Sequence, residues 1–275
     1  MRTDLTKKRV FLLAGHAHSG KTTLSEAFLY KCGMIKQLGS VDAGTTVSDY
    51  EDDEKERKSS IEMAVLHSEY KGNFLQFIDT PGFADFVGDV VAAARAVDFA
   101  LILVDATSGV EVGTDRVWNI VRRQGLPCVF VVTKLDKDET SFQKTLQEIR
   151  ENITKRALPV VAYDDGGTHN VLHEKESDFY GQLTESVAET DDALLEKYLE
   201  NGTIDHAELE AAFQKAVDDS QLFPVVGVDS LSQKGIECLL DVLIEVMPSV
   251  ATAHPQKAFR DDEEIELVPD VDNDF

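Results

Sequence analysis

The chain has 275 residues, 43% of them hydrophobic, and carries 27 Lys and Arg against 51 Asp and Glu, a formal net charge of −24. That is enough apolar material for one large α/β domain or one domain with an insertion, and no apolar run reaches the length of a membrane span. So acidic a surface does not hold nucleic acid by bulk charge; any RNA contact would have to be local.

Residues 9–14 are a short apolar run that predicts a buried strand. The basic residues before it (Arg2, Lys7, Lys8, Arg9) mimic the start of a secretion signal, but the run is too short for one. It leads into Gly15-His16-Ala17-His18-Ser19-Gly20-Lys21-Thr22, a full match to GxxxxGK[ST], and residues 22–30 then predict a helix ending near Gly33. Strand, glycine-rich loop and helix start are what a phosphate needs. The loop N–H groups and the helix N-terminus point at an anion, Lys21 reaches the terminal phosphates, and the Thr22 hydroxyl takes a Mg2+. Residues 61–70 and 74–78 flank Lys71-Gly72-Asn73 and predict a hairpin. Asp79-Thr80-Pro81-Gly82 follows. An acid there, at a strand end, can hold Mg2+ through a water, and the Gly82 N–H can touch a γ-phosphate; an ordinary Pro-Gly turn is the alternative.

Residues 99–105 and 128–133 read as central buried strands, with a helix over 112–124 between them that carries Trp118 and is closed by Gly125 and Pro127. Thr133-Lys134-Leu135-Asp136 ends the second strand. A carboxylate at Asp136 accepts both N1–H and the exocyclic N2–H of guanine, a pattern that adenine does not present, and the Lys134 stem can cover the base face. A helix N-cap at Asp136 is the alternative. A helix over 140–155 and a last strand and helix over 222–228 and 234–246 complete the alternation, which argues for a mainly parallel sheet.

Residues 156–221 break that alternation. They hold one strand (158–163) and acidic amphipathic helices near 179–199 and 205–217, with Lys175, Lys197 and Lys215 as the lysines and arginines between 164 and 220. This reads as an inserted subdomain whose acidic helices are a protein-docking surface or a solvated face. The division is therefore 1–155 for the first part of the core, 156–221 for the insertion, 222–249 for the last strand and helix, and 250–275, acidic and without periodicity, for a linker toward a further domain. Cys32, Cys128 and Cys238 are an odd number set far apart, so they read as reduced core residues of a cytoplasmic protein.

The ordered pieces resemble the GTP-binding domain of translational GTPases, most closely elongation factor G and its bacterial elongation factor G-like relatives. The matching stretches are 14–24, 44–49 through Glu56-Arg57, 79–86, 106–113 and 133–136. The resemblance implies a P-loop NTPase fold, a three-layer αβα sandwich with an inserted α-rich subdomain. It implies GTP or GDP with Mg2+ as ligands and hydrolysis of GTP as a conformational switch. As partner it implies the ribosome, with its stalk meeting 156–221, and the protein would be a cytoplasmic monomer. Carried over by position, the nucleotide contacts are Gly15, His16, Ala17, His18, Ser19, Gly20, Lys21, Thr22 and Thr23 in the phosphate loop. Asp79, Thr80, Pro81 and Gly82 follow in the second segment, Thr133, Lys134 and Asp136 at the base, and Ser230 with Leu231 behind it. Thr22, Ser60 and Asp79 would serve the metal, and Lys21, Gly82 and position 83 the catalysis.

The chain also departs from the family. Where the first switch usually ends Glu-Arg-Gly-Ile-Thr-Ile, this chain reads Glu56-Arg57-Lys58-Ser59-Ser60-Ile61, so Ser60 stands for the Mg2+-binding Thr; a solvated loop is the alternative. The family's catalytic histidine, which orients the attacking water, is Phe83. The phosphate-loop Asp is His18, while Ala17 and Ser59 replace larger apolar residues. Nucleotide binding is expected intact and turnover slow. The alternative is a GTP-binding regulatory module that does not hydrolyse GTP on the ribosome; a P-loop kinase or ATPase is argued against by Asp136.

Overall fold

The computed structural model describes residues 4–164, 167–172, 174, 178–260 and 263–270. The strands of its main sheet are β1 (Lys8–Gly15), β2 (Ala64–Tyr70), β3 (Asn73–Asp79), β4 (Phe99–Asp105), β5 (Cys128–Thr133), β6 (Ala157–Asp164), β7 (Gly167–Asn170) and β8 (Phe223–Gly227), in the order β2-β3-β1-β4-β5-β8-β6-β7. The two edge pairs, β2 with β3 and β6 with β7, are antiparallel; every other neighbouring pair is parallel.

Successive residues of a strand face opposite sides of the sheet, and a parallel sheet survives only with both sides covered. Along β1, Phe11 and Leu13 enter one core while Leu12 and Ala14 enter the other, and all four are fully buried. The Phe11 ring stacks between Phe77 and Phe99, with centroids 5.5 and 5.1 Å away, and meets Phe28 edge-on at 6.2 Å. Helices α1 (Lys21–Lys31) and, farther along the chain, α9 (Ile236–Glu245) pack on that side. On the other side lie α3 (Val87–Ala94), α4 (Val112–Arg123) and α5 (Phe142–Asn152). This is the three-layer α/β arrangement expected from the alternation. Trp118 packs against Phe130 and Phe223 in the second core.

Several boundaries differ from the sequence reading. The hairpin strand expected from residue 61 starts at Ala64, because the Ile61 and Glu62 N–H groups are spent on the Glu54 carboxylate. The charge run 51–58 contains a short helix, α2 (Asp52–Arg57), with a reciprocal capping box between Glu51 and Glu54. The helix expected over 179–199 is two, α6 (Asp178–Ala188) and α7 (Asp192–Asn201), because Asp191 accepts from the Ala193 and Leu194 N–H groups and starts a new helix; α8 (His206–Asp218) follows. The strand read as part of the insertion, β6, pairs with β8 in the main sheet, so what 156–221 adds beyond the sheet is α6 to α8, whose Leu183, Val187, Leu209 and Phe213 pack into the same core as Val160 and Val226. Within 250–275 the chain forms an antiparallel ribbon, β9 (Gln256–Arg260) with β10 (Glu263–Leu267), where Ala258 sits opposite Ile265. An acidic run hides that short alternation.

The chain leaves β1 toward β3 on one side and toward β4 on the other. Such a reversal of strand order opens a crevice at the carboxyl ends of the strands. Gly15, Asp79, Asp105 and Thr133 are the last residues of β1, β3, β4 and β5, so the segments singled out in the sequence share one edge.

Candidate functional site

The phosphate loop turns at Gly20, whose φ of 92° is open to glycine at little cost, and Lys21 begins α1. The Lys21 ammonium is buried and donates to the carbonyls of His16 (2.9 Å) and Gly15 (3.4 Å). Burial pushes its pKa down to about 8, against the pull of the Asp79 and Asp49 carboxylates. The Thr22 hydroxyl at the next position lies 3.1 Å from that of Ser60. The Ser19 hydroxyl is buried without a hydrogen-bond partner. His16 turns its imidazole to Glu111, just before α4, at 3.4 Å.

Asp79 is 1% exposed, and neither carboxylate oxygen has a partner in hydrogen-bond geometry. Burial raises its pKa to about 6; Lys21 and the nearby Thr22 and Ser48 hydroxyls oppose that rise. Thr80 pins the turn by donating to the Leu13 carbonyl at 2.7 Å, and Pro81 is buried beside it. Gly82 sits hard against the loop: a Cβ there would come within 2.5 Å of Lys21 Nζ and 2.7 Å of the Ala17 Cα. Only glycine permits that approach without a shift. Phe83 follows, 42% exposed, with its ring edge-on to His18 at 5.5 Å.

Two buried carboxylates fold the segment between α1 and β2 over this loop. Glu26, on α1 and 1% exposed, accepts from the Val47 N–H (2.6 Å) and the Gly39 N–H (2.8 Å). Glu54, on α2, accepts from Ile61, Glu62 and Glu51 N–H groups at 2.9, 3.2 and 3.3 Å. Ser60 then donates to Asp49 at 2.7 Å and reaches Thr22. The result is a cavity of about 490 Å3 walled by Ala17, His18, Gly20, Lys21, Thr22, Thr23, Asp49, Arg57, Lys58, Ser60 and Gly82, among others.

A second cavity, of about 240 Å3, adjoins it and shares Gly20, Thr23, Val41, Asp42 and Lys134. Its walls include Thr133, Asp136, Asp229, Ser230 and Leu231. Lys134, held at a φ of 58°, pairs with Asp105 Oδ2 at 2.6 Å, and together with Thr107 it holds the Asp105 pKa below its usual value against desolvation. Thr133 Oγ1 donates to the Ser19 carbonyl at 2.8 Å, joining the base end to the phosphate loop. The Leu231 N–H donates to Asp229 Oδ1 at 3.0 Å, and Asp229 also accepts from the Ser232 hydroxyl.

Ala17, His18, Gly20, Lys21, Thr22, Thr23, Gly82, Ser60, Thr133, Lys134, Asp136, Ser230 and Leu231 are thus brought to one cleft, whereas His16 lines neither cavity and is turned to Glu111. Gly15, Ser19, Asp79, Thr80 and Pro81 are buried in support of it. Sequence reasoning missed the roles of Glu26, Asp49, Glu54 and Asp105. For Glu26 the signal was present: an acid in a helix whose neighbours Leu24, Ala27 and Phe28 are all core. Among the described residues no helix is long and apolar enough to cross a membrane, and no group of three or more His, Cys, Asp or Glu side chains forms a metal cage.

An ordered phosphate loop, an acid at the end of β3 and a base-sized cavity behind Asp136 define a nucleotide-binding domain of the P-loop class. Residues 6–249 match the family described as elongation factor Tu GTP binding domain. The chain is 32% identical over 288 aligned positions, 94% of its length, to elongation factor G of Mycoplasma pneumoniae, and it spans 42% of that protein. It also superposes with a TM-score of 0.83 and 35% identity on a crystal structure of a Thermus thermophilus protein, over 90% of this chain and 41% of that one. The chain belongs to the elongation factor Tu GTP-binding domain family, a family of GTPases, and within it is similar to elongation factor G. It spans about two fifths of the length of the relatives it matches.

Hydrogen bonds to a charged acceptor are worth roughly 1.5–3 kcal/mol each, and Glu26 makes two to the segment over the loop. Glu26→Ala should therefore free that segment. Trypsin should cut after Lys55, Arg57 or Lys58 about tenfold faster or more, roughly the effect of losing one such bond. Equal cleavage rates in the variant and the wild type would show that Glu26 is not the tether.

Proposed function

We propose that the chain binds GTP with Mg2+ and hydrolyses it to GDP and phosphate, serving as the conformational switch of an elongation factor G-like translational GTPase with slow intrinsic turnover. The observation that carries the reading is the convergence of Lys21, Thr22, Ser60 and Gly82 on one cavity, with the Asp79 carboxylate buried near Lys21 and Thr22 and the Phe83 ring against His18 of the cavity wall. The phosphate-loop amides, the N-terminus of α1 and Lys21 hold the phosphates and neutralise charge in the transition state. Thr22 and Ser60 offer hard oxygen donors, and the unpartnered Asp79 carboxylate fits a divalent cation. Once bound, Mg2+ supplies charge neutralisation at the β- and γ-phosphates. The folded segment 40–61 would be ordered by the γ-phosphate and released on hydrolysis. In this reading the protein works in the cytoplasm, as a monomer, on the ribosome.

Asp136 sets base choice in this reading, with Lys134, fixed by Asp105, as the floor under the base. Asp136→Asn exchanges an acceptor for a donor and should shift preference from GTP toward XTP, which carries a carbonyl where guanine carries its amine. A GTP/XTP preference unchanged in the variant, measured by competition binding, would reject the assignment.

The acidic helices α6 to α8 pack Leu183, Val187, Leu209 and Phe213 into the core and leave Glu185, Glu189, Asp192, Glu196 and Glu200 exposed, and a cavity of about 550 Å3 opens between α7 and α8. They are proposed as a docking surface for the ribosomal stalk. Removing 178–218 should abolish stalk-dependent stimulation of hydrolysis; stimulation that survives the deletion would remove the idea.

Phe83 favours a second reading, a binding module that does not turn over, because an apolar ring excludes water and cannot hold it. Phe83→His should leave GTP affinity near normal and raise single-turnover hydrolysis about ten- to a hundredfold. A wild-type protein already as fast as this variant would show that another residue positions the water as well as an imidazole at position 83 does. No hydrolysis in either, with ribosomes present, would favour the binding module.

A further inference from the structure

The γ-phosphate end of the cavity is where two chain segments meet. Gly82 lies against Lys21 and the Ala17 backbone, so the residues that follow each contact, His18 and Phe83, face one another across the opening. Their rings meet edge to face, at 5.5 Å and 89°. His18 is exposed, lines the 490 Å3 cavity, and holds a φ of 63°, a left-handed conformation that few non-glycine residues other than Asn, Asp and His adopt. Among the described residues no hydrogen bond or ion pair engages its imidazole.

The other charged or titratable groups walling this cavity are committed elsewhere or cannot accept. Lys21 donates to loop carbonyls, Lys134 pairs with Asp105, and Lys58 pairs with Asp42 at 3.5 Å. Asp49 is buried and accepts from Ser60, while Arg57 is a donor only. A neutral imidazole offers one acceptor nitrogen, and at His18 it stands beside the ring of Phe83, which has none.

We propose that His18 is the catalytic group that holds the attacking water, in a role that Phe83 cannot fill. The inference rests on the GTPase reading above. His18 accepts a hydrogen bond from the water as the water oxygen bonds to the γ-phosphorus. The bond from that phosphorus to the β,γ-bridging oxygen breaks, and its electron pair stays on GDP. One water proton leaves with the phosphate; the other passes through the imidazole to solvent. Only the neutral imidazole can accept, so the rate falls on acidification.

The test is single-turnover GTP hydrolysis with ribosomes across a pH series, beside GTP affinity, for wild type, H18A, H18Q and H18A/F83H. H18A should lose about a hundredfold in rate, within the span of general-base effects, with affinity kept within about threefold. H18Q, which keeps an acceptor that does not titrate, should retain part of the rate and lose the acid-side fall of the wild type. H18A/F83H should regain rate by placing an imidazole on the facing segment. Wild-type rate in H18A overturns the proposal, as does an H18Q profile that still falls on acidification like the wild type; the latter decides the matter if H18A also loses affinity. A wild type that binds no GTP fails the underlying reading as well, whereas normal hydrolysis in both wild type and H18A fails this inference alone.

Discussion

Lys21 and Asp79 are both withdrawn almost completely from water, at the same edge of a sheet whose two faces are already filled. Each pays for desolvation in its own direction, the ammonium pushed down to about 8 and the carboxylate up to about 6. The pair attract each other, yet Lys21 spends its hydrogen bonds on the loop and Asp79 has none. A buried charge without a full set of partners is costly, and the surrounding structure is arranged to hold this one. The Phe11 stack and the β1–β3 register fix where Asp79 ends, with Leu13 opposite it, and Thr80 is tied to the same Leu13 by its hydroxyl. In the proposed reading, polyphosphate with a cation would bring both an anion for the lysine and a cation for the carboxylate, so one ligand would relieve two local penalties.

Over this pair lies a segment whose order comes from carboxylates accepting backbone N–H groups rather than from a hydrophobic core. Glu26 and Glu54 together accept five of these bonds. A tether of that kind is short-range and directional, so it can fix Ser60 beside Thr22 while leaving Tyr50 and Val47 exposed above it. It also opens without emptying a core. That suits the release on hydrolysis proposed for this segment.

The phosphate loop, the Asp79 turn and the Asp136 turn were legible in the sequence because each is a contiguous set of residue types imposed by local backbone chemistry. The sheet was legible for a related reason: β1, β4 and β5 are continuous apolar runs buried on both sides. What escaped was decided by tertiary contact. β6 reads the same whether it pairs within an insertion or beside β8, and pairing partners are not written in a strand's own composition. The α2 helix was hidden because every one of residues 51–57 is charged and none is apolar, so its burial rests on one carboxylate, Glu54, and not on a stripe. Leu231 was carried over by position beside Ser230; the structure gives its N–H to Asp229, an interaction invisible until the loop is closed. For Glu26 the burial was legible from its core neighbours in α1, but nothing in α1 itself marks which segment folds back onto it.

The Thr133 hydroxyl, bonded to the carbonyl of Ser19, is a cross-brace between the two ends of the cleft. It is buried, and the two residues it joins are far apart in sequence, so their relative position is set by this bond together with the sheet beneath it. In the proposed reading, recognition would be a property of the frame, the cleft measuring the whole nucleotide as a length rather than reading its two halves in turn.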